Sequence, residues 1–380
     1  MQRLIRMSET WRLLKMGEIS PLETQMVYEA VALARDRKAV PDSIIFCWPK
    51  TPLVCIGFHQ EVEKEINYDY CQENKILVVR RILGGGAVYL DEGQLFYQII
   101  ASEENPKIPK TISKLFAKLL QAPISTYQAI GIPAEYKPIN DIQIQGRKIS
   151  GNGVGKVGQI NILTGNLILD FNYDAMVRIL KVPSEKFRDK MVSTLRDRVT
   201  TITRELGQSP DKNDLMHLLK QNFEKFLEIE LIEDKLSKLE QRILRDLRKK
   251  YLSKEWLFQT TLRHPELLQK SRVLSDTKRI VKIADSVYVC ESVFKSQGGL
   301  IRVTMEIDEE KIKDILISGD FEFFPKEDLS SLAQELVVLT LDEEIITAKI
   351  EEFYKIHFIQ SPGTNPNDFA KTIQLAYQNI

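Results

Sequence analysis

At 380 residues the chain exceeds the length at which a single hydrophobic core keeps growing, so two or more domains are expected. Hydrophobic residues at 43% and charged residues at 28% describe an ordinary globular protein. The 53 basic residues balance 53 acidic ones, which excludes recognition of nucleic acid through a global basic field.

No apolar run reaches about 18 residues, so no membrane-spanning helix is expected. The four histidines are scattered and the four cysteines show no paired spacing, which argues against a zinc site. Without a recognisable secretory signal, the reducing cytosol is the expected location.

In chain order, the first six residues read as an extension, with Met7 an alternative start. Pro21 opens a helix through Arg37, with Val27, Val31 and Ala34 at helical spacing. Ser43 to Trp48 and Leu53 to Gly57 read as two strands joined by a Pro-Lys-Thr-Pro turn, and Tyr68 to Asn74 as a helix. The apolar run Ile76 to Val79 then leads into Arg80-Arg81-Ile82-Leu83-Gly84-Gly85-Gly86-Ala87-Val88-Tyr89-Leu90-Asp91. Three consecutive glycines forfeit backbone entropy and bury nothing, so something is expected to come close to this backbone. Bare N–H groups beside two arginines suit a phosphate or carboxylate. A glycine-rich hairpin with two surface arginines is the plainer reading, and the motif alone leaves both open.

Gln94 to Ala101 is a strand and Thr111 to Leu120 a helix. Gln121 to Pro138 is punctuated by proline and glycine and reads as a long connection. Asn140-Asp141 is either a turn pair or an amide and a carboxylate set for Mg2+ or a hydroxyl. The strand Ile142 to Ile144 and the turn Gln145-Gly146 lead to Arg147-Lys148-Ile149-Ser150-Gly151-Asn152-Gly153. There Lys148 is either an exposed lysine at a strand start or a compact cation for a reacting phosphate or acyl oxygen. Gln159 to Leu163, a Thr-Gly turn and Asn166 to Phe171 complete a mixed sheet.

Several motifs in this order resemble the lipoate–protein ligases. They are Arg-Arg-x-x-Gly-Gly-Gly-Ala-Val-Tyr-x-Asp, then Asn140-Asp141, then Gly146-Arg147-Lys148-Ile149-Ser150-Gly151. Upstream, Phe46-Cys47-Trp48 and Val54-Cys55-Ile56-Gly57 match the family's paired strands. Leu180-Lys181-Val182-Pro183, Glu185 to Lys190 and Arg196-Asp197-Arg198-Val199 are similar to its archaeal-type members. Trp256, Gly298-Gly299 and the strands from Ile301 to Ile317 resemble a C-terminal accessory domain.

The resemblance implies an α/β fold: a biotin/lipoate-ligase-type mixed sheet flanked by helices (residues 1–252), plus a small α+β accessory domain (253–380). It implies that lipoate and ATP condense, with Mg2+, to lipoyl-AMP and pyrophosphate, and that the lipoyl group then passes to one lysine of an apo lipoyl carrier protein. The carrier would be a lipoyl domain of an E2 subunit, an H protein or a similar lipoate-binding protein. Lys148, Arg80 and Arg81 take the catalytic roles in this family pattern. Gly84, Gly85, Gly86, Ala87, Val88, Tyr89, Asn140, Asp141, Ser150 and Gly151 would bind ATP and lipoate, Asp141 would hold the metal, and the acyl tail would lie against Val88 and Val54. A monomer is the default expectation.

The sequence departs from the pattern at Leu83, at Leu90 (Tyr89-Leu90-Asp91 against Tyr-His-Asp) and at Thr164-Gly165-Asn166 (against His-Gly-Thr). These changes make the expected pocket more apolar and leave lipoate and octanoate both open. They also leave room for a catalytically weakened acyl-binding protein of the same fold.

Related octanoyl and lipoyl transferases act without ATP through a cysteine thioester. Gln121 to Asn140 and the Thr164-Gly165 region contain no cysteine, and Cys47 and Cys55 fall inside strands, which favours the ligase.

Downstream, Asp214 to Leu227 and Ile232 to Tyr251 read as amphipathic helices. The basic cluster Arg245, Arg248, Lys249 and Lys250 is either a solvated helix end or a dock for an acidic carrier. Strands at Ile280 to Ile283, Leu300 to Ile307 and Lys313 to Ser318 precede helices at Leu329 to Leu336 and Leu341 to Tyr354, with a last helix from Asn367.

Overall fold

The computed structural model describes residues 9–181, 185–274 and 279–378, and side chains at 185–189 are left aside. The motif positions Val182 and Pro183, the side chains of Glu185 to Asp189, and the reading of Met7 as a start lie outside what the structure describes. The chain is mixed α/β and divides into two compact units, each described separately. The first comprises residues 1–55, 67–79 and 88–251. The second comprises residues 56–66, 80–87 and 252–380. The last large segment thus starts at Leu252, and two short stretches from the N-terminal half cluster with it.

In the first unit a six-stranded mixed sheet runs in the order Asn152–Val157, Ile160–Ile168, Gln94–Ser102, Ser43–Pro49, Glu9–Ile19, Ile229–Glu233. The helix Pro21–Asp36 starts where the Ser20 hydroxyl accepts from Glu23 N–H and proline supplies a preset first-turn φ. Val27, Ala30, Val31 and Ala34 on it are fully buried. Arg12 on the first strand donates to both oxygens of buried Glu240, which fixes the helix Lys238–Tyr251 beside that strand. Such a pair is costly to break from one side, because the survivor is left as an uncompensated buried charge.

Among the differences from the sequence reading, three in the first unit have a clear physical reason. Gln121–Ala129 is a helix, because Pro123 falls in its first turn, where its missing N–H costs nothing. Ile160–Ile168 is one continuous strand through Thr164-Gly165, with Gly165 paired to Tyr97 and to Asn152. Ile229–Glu233 is a strand parallel to the first one, so the following helix begins at Lys238. The opening strand Glu9–Ile19 carried no turn signal to announce it.

In the second unit four antiparallel strands, Ile280–Lys282, Val287–Lys295, Leu300–Asp308 and Lys311–Gly319, carry the helices Asp328–Leu336, Glu343–Ile356 and Pro366–Tyr377. Strand and helix side chains share one core around Ile301, Val303, Phe321, Leu332, Ile350 and Phe369. The early stretch 56–66 is fastened to this sheet by charge: Arg302 meets Glu65 at 3.0 Å, and the Ser318 hydroxyl donates to Glu61. Burial, the largest influence on Glu61, raises its pKa against the opposing pull of Ser318 and Arg302.

Candidate active site

The first unit gathers Lys148, Asp141, Asn140, Ser150, Gly151, Val88 and Tyr89. The strands Asp141–Ile144 and Arg147–Ser150 form a hairpin closed by Gln145 and Gly146, both at positive φ (50° and 79°). Two left-handed residues in a two-residue loop match the strand twist, and they return Lys148 opposite Gln143. Its Nζ lies 2.6 Å from Asp141 Oδ1, with the two side chains 39% and 29% exposed. The backbone of Lys148 is held from the other side, where Thr200 N–H donates to its carbonyl at 2.8 Å.

The lysine passes over Gly151. A Cβ there would stand 3.4 Å from Lys148 Cε and 3.6 Å from Nζ, in ordinary van der Waals contact with the end of the lysine. Gly151 N–H donates to Asn166 Oδ1 (2.8 Å), Asn166 Nδ2 to Gln94 Oε1 (2.7 Å), and Gln94 Nε2 to the Tyr89 carbonyl (3.2 Å). This polar chain ties the lysine's neighbour to the strand Val88–Leu90. That strand in turn pairs with Leu53–Ile56, setting Tyr89 opposite Val54. Asn140 and Asn152 exchange side chain-to-backbone bonds at 2.8 and 2.9 Å, and Tyr97 donates to Asn152 Oδ1 beside Ser150.

Asn152, Gln94 and Tyr97 do not stand out as site residues in the sequence, where Gly165 and Asn166 read only as departures from the family pattern. A glycine inside a strand was the available signal: a Cβ on Gly165 would run into Asn152 Oδ1 and the Tyr97 hydroxyl. Burial leads the influences that push Tyr89 up to about 12 and Asp91 up to about 6.

Arg80, Arg81 and Gly84 to Ala87 cluster in the second unit. Arg80 is fully buried, and its guanidinium donates to the carbonyls of Gly57, Phe58, Trp256 and Leu257 at 2.7–3.2 Å, while Trp256 Nε1 returns a bond to Arg80 O at 2.8 Å. An arginine offered to a phosphate was expected at this position. The structure instead uses it to bind two stretches of backbone, Gly57-Phe58 and Trp256-Leu257, whose four carbonyls occupy its planar fork. Arg81 folds back onto the carbonyls of Gly84 and Gly86.

The close approach that the glycines permit is made by the chain itself. A Cβ on Gly84 would strike Glu322 and the Phe321 carbonyl, one on Gly86 would contact Asp320, and Gly85 N–H donates to Phe321 O at 3.5 Å. Gly85, at φ +80°, also needs a left-handed conformation.

Among the described residues no group of three or more His, Cys, Asp or Glu side chains is placed to hold a metal. Asp141 beside Asn140 is therefore a one-carboxylate donor set. That set fits Mg2+ only in the mode in which water and substrate phosphates supply the remaining ligands. The four cysteines are buried and unpaired with one another. Burial raises the Cys47 thiol well above its usual range, Cys71 to about 11 and Cys290 to about 12.

Residues 21–224 match the model of the lipoyl protein ligase A/B catalytic domain. The octanoyltransferase LipM of Bacillus anthracis is 27% identical over 272 residues, covering 65% of this chain and 98% of that protein. The lipoate-protein ligase LplJ of Bacillus subtilis is 29% identical over 309 residues, covering 81% and 84%. Among solved structures, a bi-partite archaeal lipoate protein ligase studied with its E2 lipoyl domain, from Thermoplasma acidophilum, superposes with a TM-score of 0.58 at 28% identity. It covers 66% of this chain and 96% of that one.

Proposed function

The chain belongs to the lipoyl protein ligase A/B catalytic-domain family, and from that premise we propose that it is an ATP-dependent lipoate–protein ligase. One observation carries the choice over a thioester-forming transferase: the first unit presents a half-exposed lysine paired with a carboxylate, while every thiol is buried. Thioester chemistry needs a thiolate that substrate can reach, and burial disfavours the thiolate at Cys47, Cys71 and Cys290. A cation poised over bare backbone suits the other route.

In that route a carboxylate oxygen of lipoate attacks the α-phosphorus of ATP. The acyl–O–P bond forms as the bond to pyrophosphate breaks. Two anions must meet, and Lys148 offsets their repulsion and then the charge on the transferring oxygens. An amine of the carrier lysine next attacks the acyl carbon, the amide forms, AMP leaves and the amine loses a proton. Asp141 would supply Mg2+ with its single protein carboxylate, and the ion would neutralise phosphate charge. Asn140, Ser150 and Gly151 border the nucleotide in this reading, and Val88, Tyr89 and Val54 the acyl chain, where each buried CH2 contributes about 0.8 kcal/mol. The family pattern also assigns Arg81 and Gly84 to Ala87 to anion contact, and these residues lie in the second unit. Arg80 acts by positioning the backbone from which they spring. The partner is an apo lipoyl carrier domain, and the enzyme works in the cytoplasm.

Incubation with ATP, Mg2+, lipoate and an apo lipoyl domain is expected to add the lipoyl mass to the carrier. Omitting ATP or introducing Lys148→Ala abolishes it. Similarity to the octanoyltransferase LipM favours a second reading, transfer of an octanoyl group without ATP. Acylation of the carrier from octanoyl-carrier alone, unchanged by omitting ATP, would establish that reading and overturn the first.

A further inference from the structure

The second unit carries a pocket that the ligase reaction does not use. Its cavity volume is about 40 Å3, and its wall includes Phe58, His59, Thr260, Arg263, Lys326 and Ser330. All of these residues belong to the second unit. We propose that this pocket binds a single phosphate-type oxoanion.

The charge points that way. Lys326 is only 15% exposed, with its ammonium 5.5 Å above the Phe58 ring, and its ion pair with Glu327 at 2.9 Å reaches a two-thirds exposed carboxylate that neutralises it weakly. Arg263 adds a second cation from the exposed end of the segment before the helix Pro265–Ser271. The third cationic candidate, His264, is held by Asp314 at 2.9 Å and is spoken for. Thr260 and Ser330 bring hydroxyls that suit a tetrahedral oxyanion.

The decisive observation is His59. Its ring is 5% exposed, stacked on Phe321 at 5.5 Å with Phe58 and Phe323 at its edges, and its Nε2 has no hydrogen-bond partner. Buried polar nitrogens are rarely left so, and one that is calls for a missing partner. Burial first, then the nearby positive charges of Arg80, Lys326 and Arg263, push the imidazole down to about 3, so the ring is neutral. A neutral ring with its hydrogen on Nε2 donates one bond to an oxyanion, while Arg263 and Lys326 balance the charge.

The test is isothermal titration calorimetry of the full chain with sodium phosphate, sodium chloride being varied to hold ionic strength. A saturable 1:1 site is expected, weakened at least fivefold by Arg263→Gln and by Lys326→Gln, and unchanged by Lys355→Gln on the exposed surface of the helix Glu343–Ile356. Lys148→Ala leaves it unchanged too, which keeps this result independent of the ligase reading. The 15N shift of His59 Nε2 moves on saturation. Tighter binding of orthophosphate than of phenyl phosphate identifies the free ion, and the reverse order identifies a phosphomonoester end. Absence of saturable binding, undiminished binding in the Arg263→Gln/Lys326→Gln double variant, or equal binding of acetate overturns the proposal.

Discussion

Replacing Arg80 with methionine separates a positioning role from a phosphate contact. In the structure five hydrogen bonds run from its guanidinium to four carbonyls, those of Gly57, Phe58, Trp256 and Leu257. Methionine keeps much of the volume and removes every donor. Each carbonyl left without its partner in a buried site costs roughly 1–3 kcal/mol, or about 4–12 kcal/mol for four. Part of this is offset because a guanidinium no longer has to be dehydrated, and breaking such buried arrangements from one side nets about 3–5 kcal/mol. For a unit of this size, about 2–4 °C per kcal/mol predicts a fall of about 6–20 °C in the melting temperature. Scanning calorimetry measures that shift, and lipoate-dependent ATP–pyrophosphate exchange at a temperature where both proteins stay folded measures the chemistry. Arg80→Lys should fall between, since an ammonium cannot span the same carbonyls. If Arg80→Met melts within about 1 °C of the parent, a shift too small for even one lost hydrogen bond, while exchange disappears, the positional reasoning is refuted and a direct phosphate contact takes its place.

Gly165→Ala should destabilise the first unit by about 1–3 kcal/mol in urea unfolding and impair catalysis, because the new methyl displaces Tyr97 and Asn152; an unchanged midpoint would contradict this. Asp91 is buried with its pKa raised to about 6, so the folded state holds the proton more tightly than the unfolded one. Its contribution to stability is therefore full below about pH 4 and lost as pH rises through about 6, worth up to about 3 kcal/mol. Unfolding curves of the parent and Asp91→Asn between pH 4 and 7 should diverge accordingly, and parallel curves would remove Asp91 as the cause. Iodoacetamide should leave carrier acylation by the native protein intact, since all four thiols are buried; rapid inactivation would point to a reachable thiolate.

The sequence disclosed most of the elements that have periodic burial or turn chemistry. Gln145-Gly146 announced its hairpin, and Pro21 its helix. It misread Pro123 as a breaker when it is a first-turn residue, and Thr164-Gly165 as a turn when a neighbouring tyrosine needs the glycine. Local signals report what a backbone can do and leave open which neighbour demands it.

The same limit shaped the candidate site. Lys148, Asp141, Asn140, Ser150 and Gly151 are close in sequence, and they come together on one hairpin and its flank. The glycines were legible as a place of close approach. That Asp320 to Glu322 makes the approach was not legible, since more than two hundred residues separate them. Arg80 shows the point most sharply: beside Arg81 in a glycine motif it reads as an anion contact, whereas its partners Trp256 and Leu257 leave no local trace.

The second unit is assembled from three separated lengths of chain, and this sets an order of events during synthesis. Residues 56–66 and 80–87 leave the ribosome long before residues 252–380 exist. Until then Glu61 lacks the Ser318 hydroxyl, Glu65 lacks Arg302, and Arg80 lacks the carbonyls of Trp256 and Leu257. The nascent protein must therefore carry a half-finished region until residues 252–380 emerge, with charged groups still waiting for their partners. A polypeptide stopped after residue 251 would remain in that condition permanently.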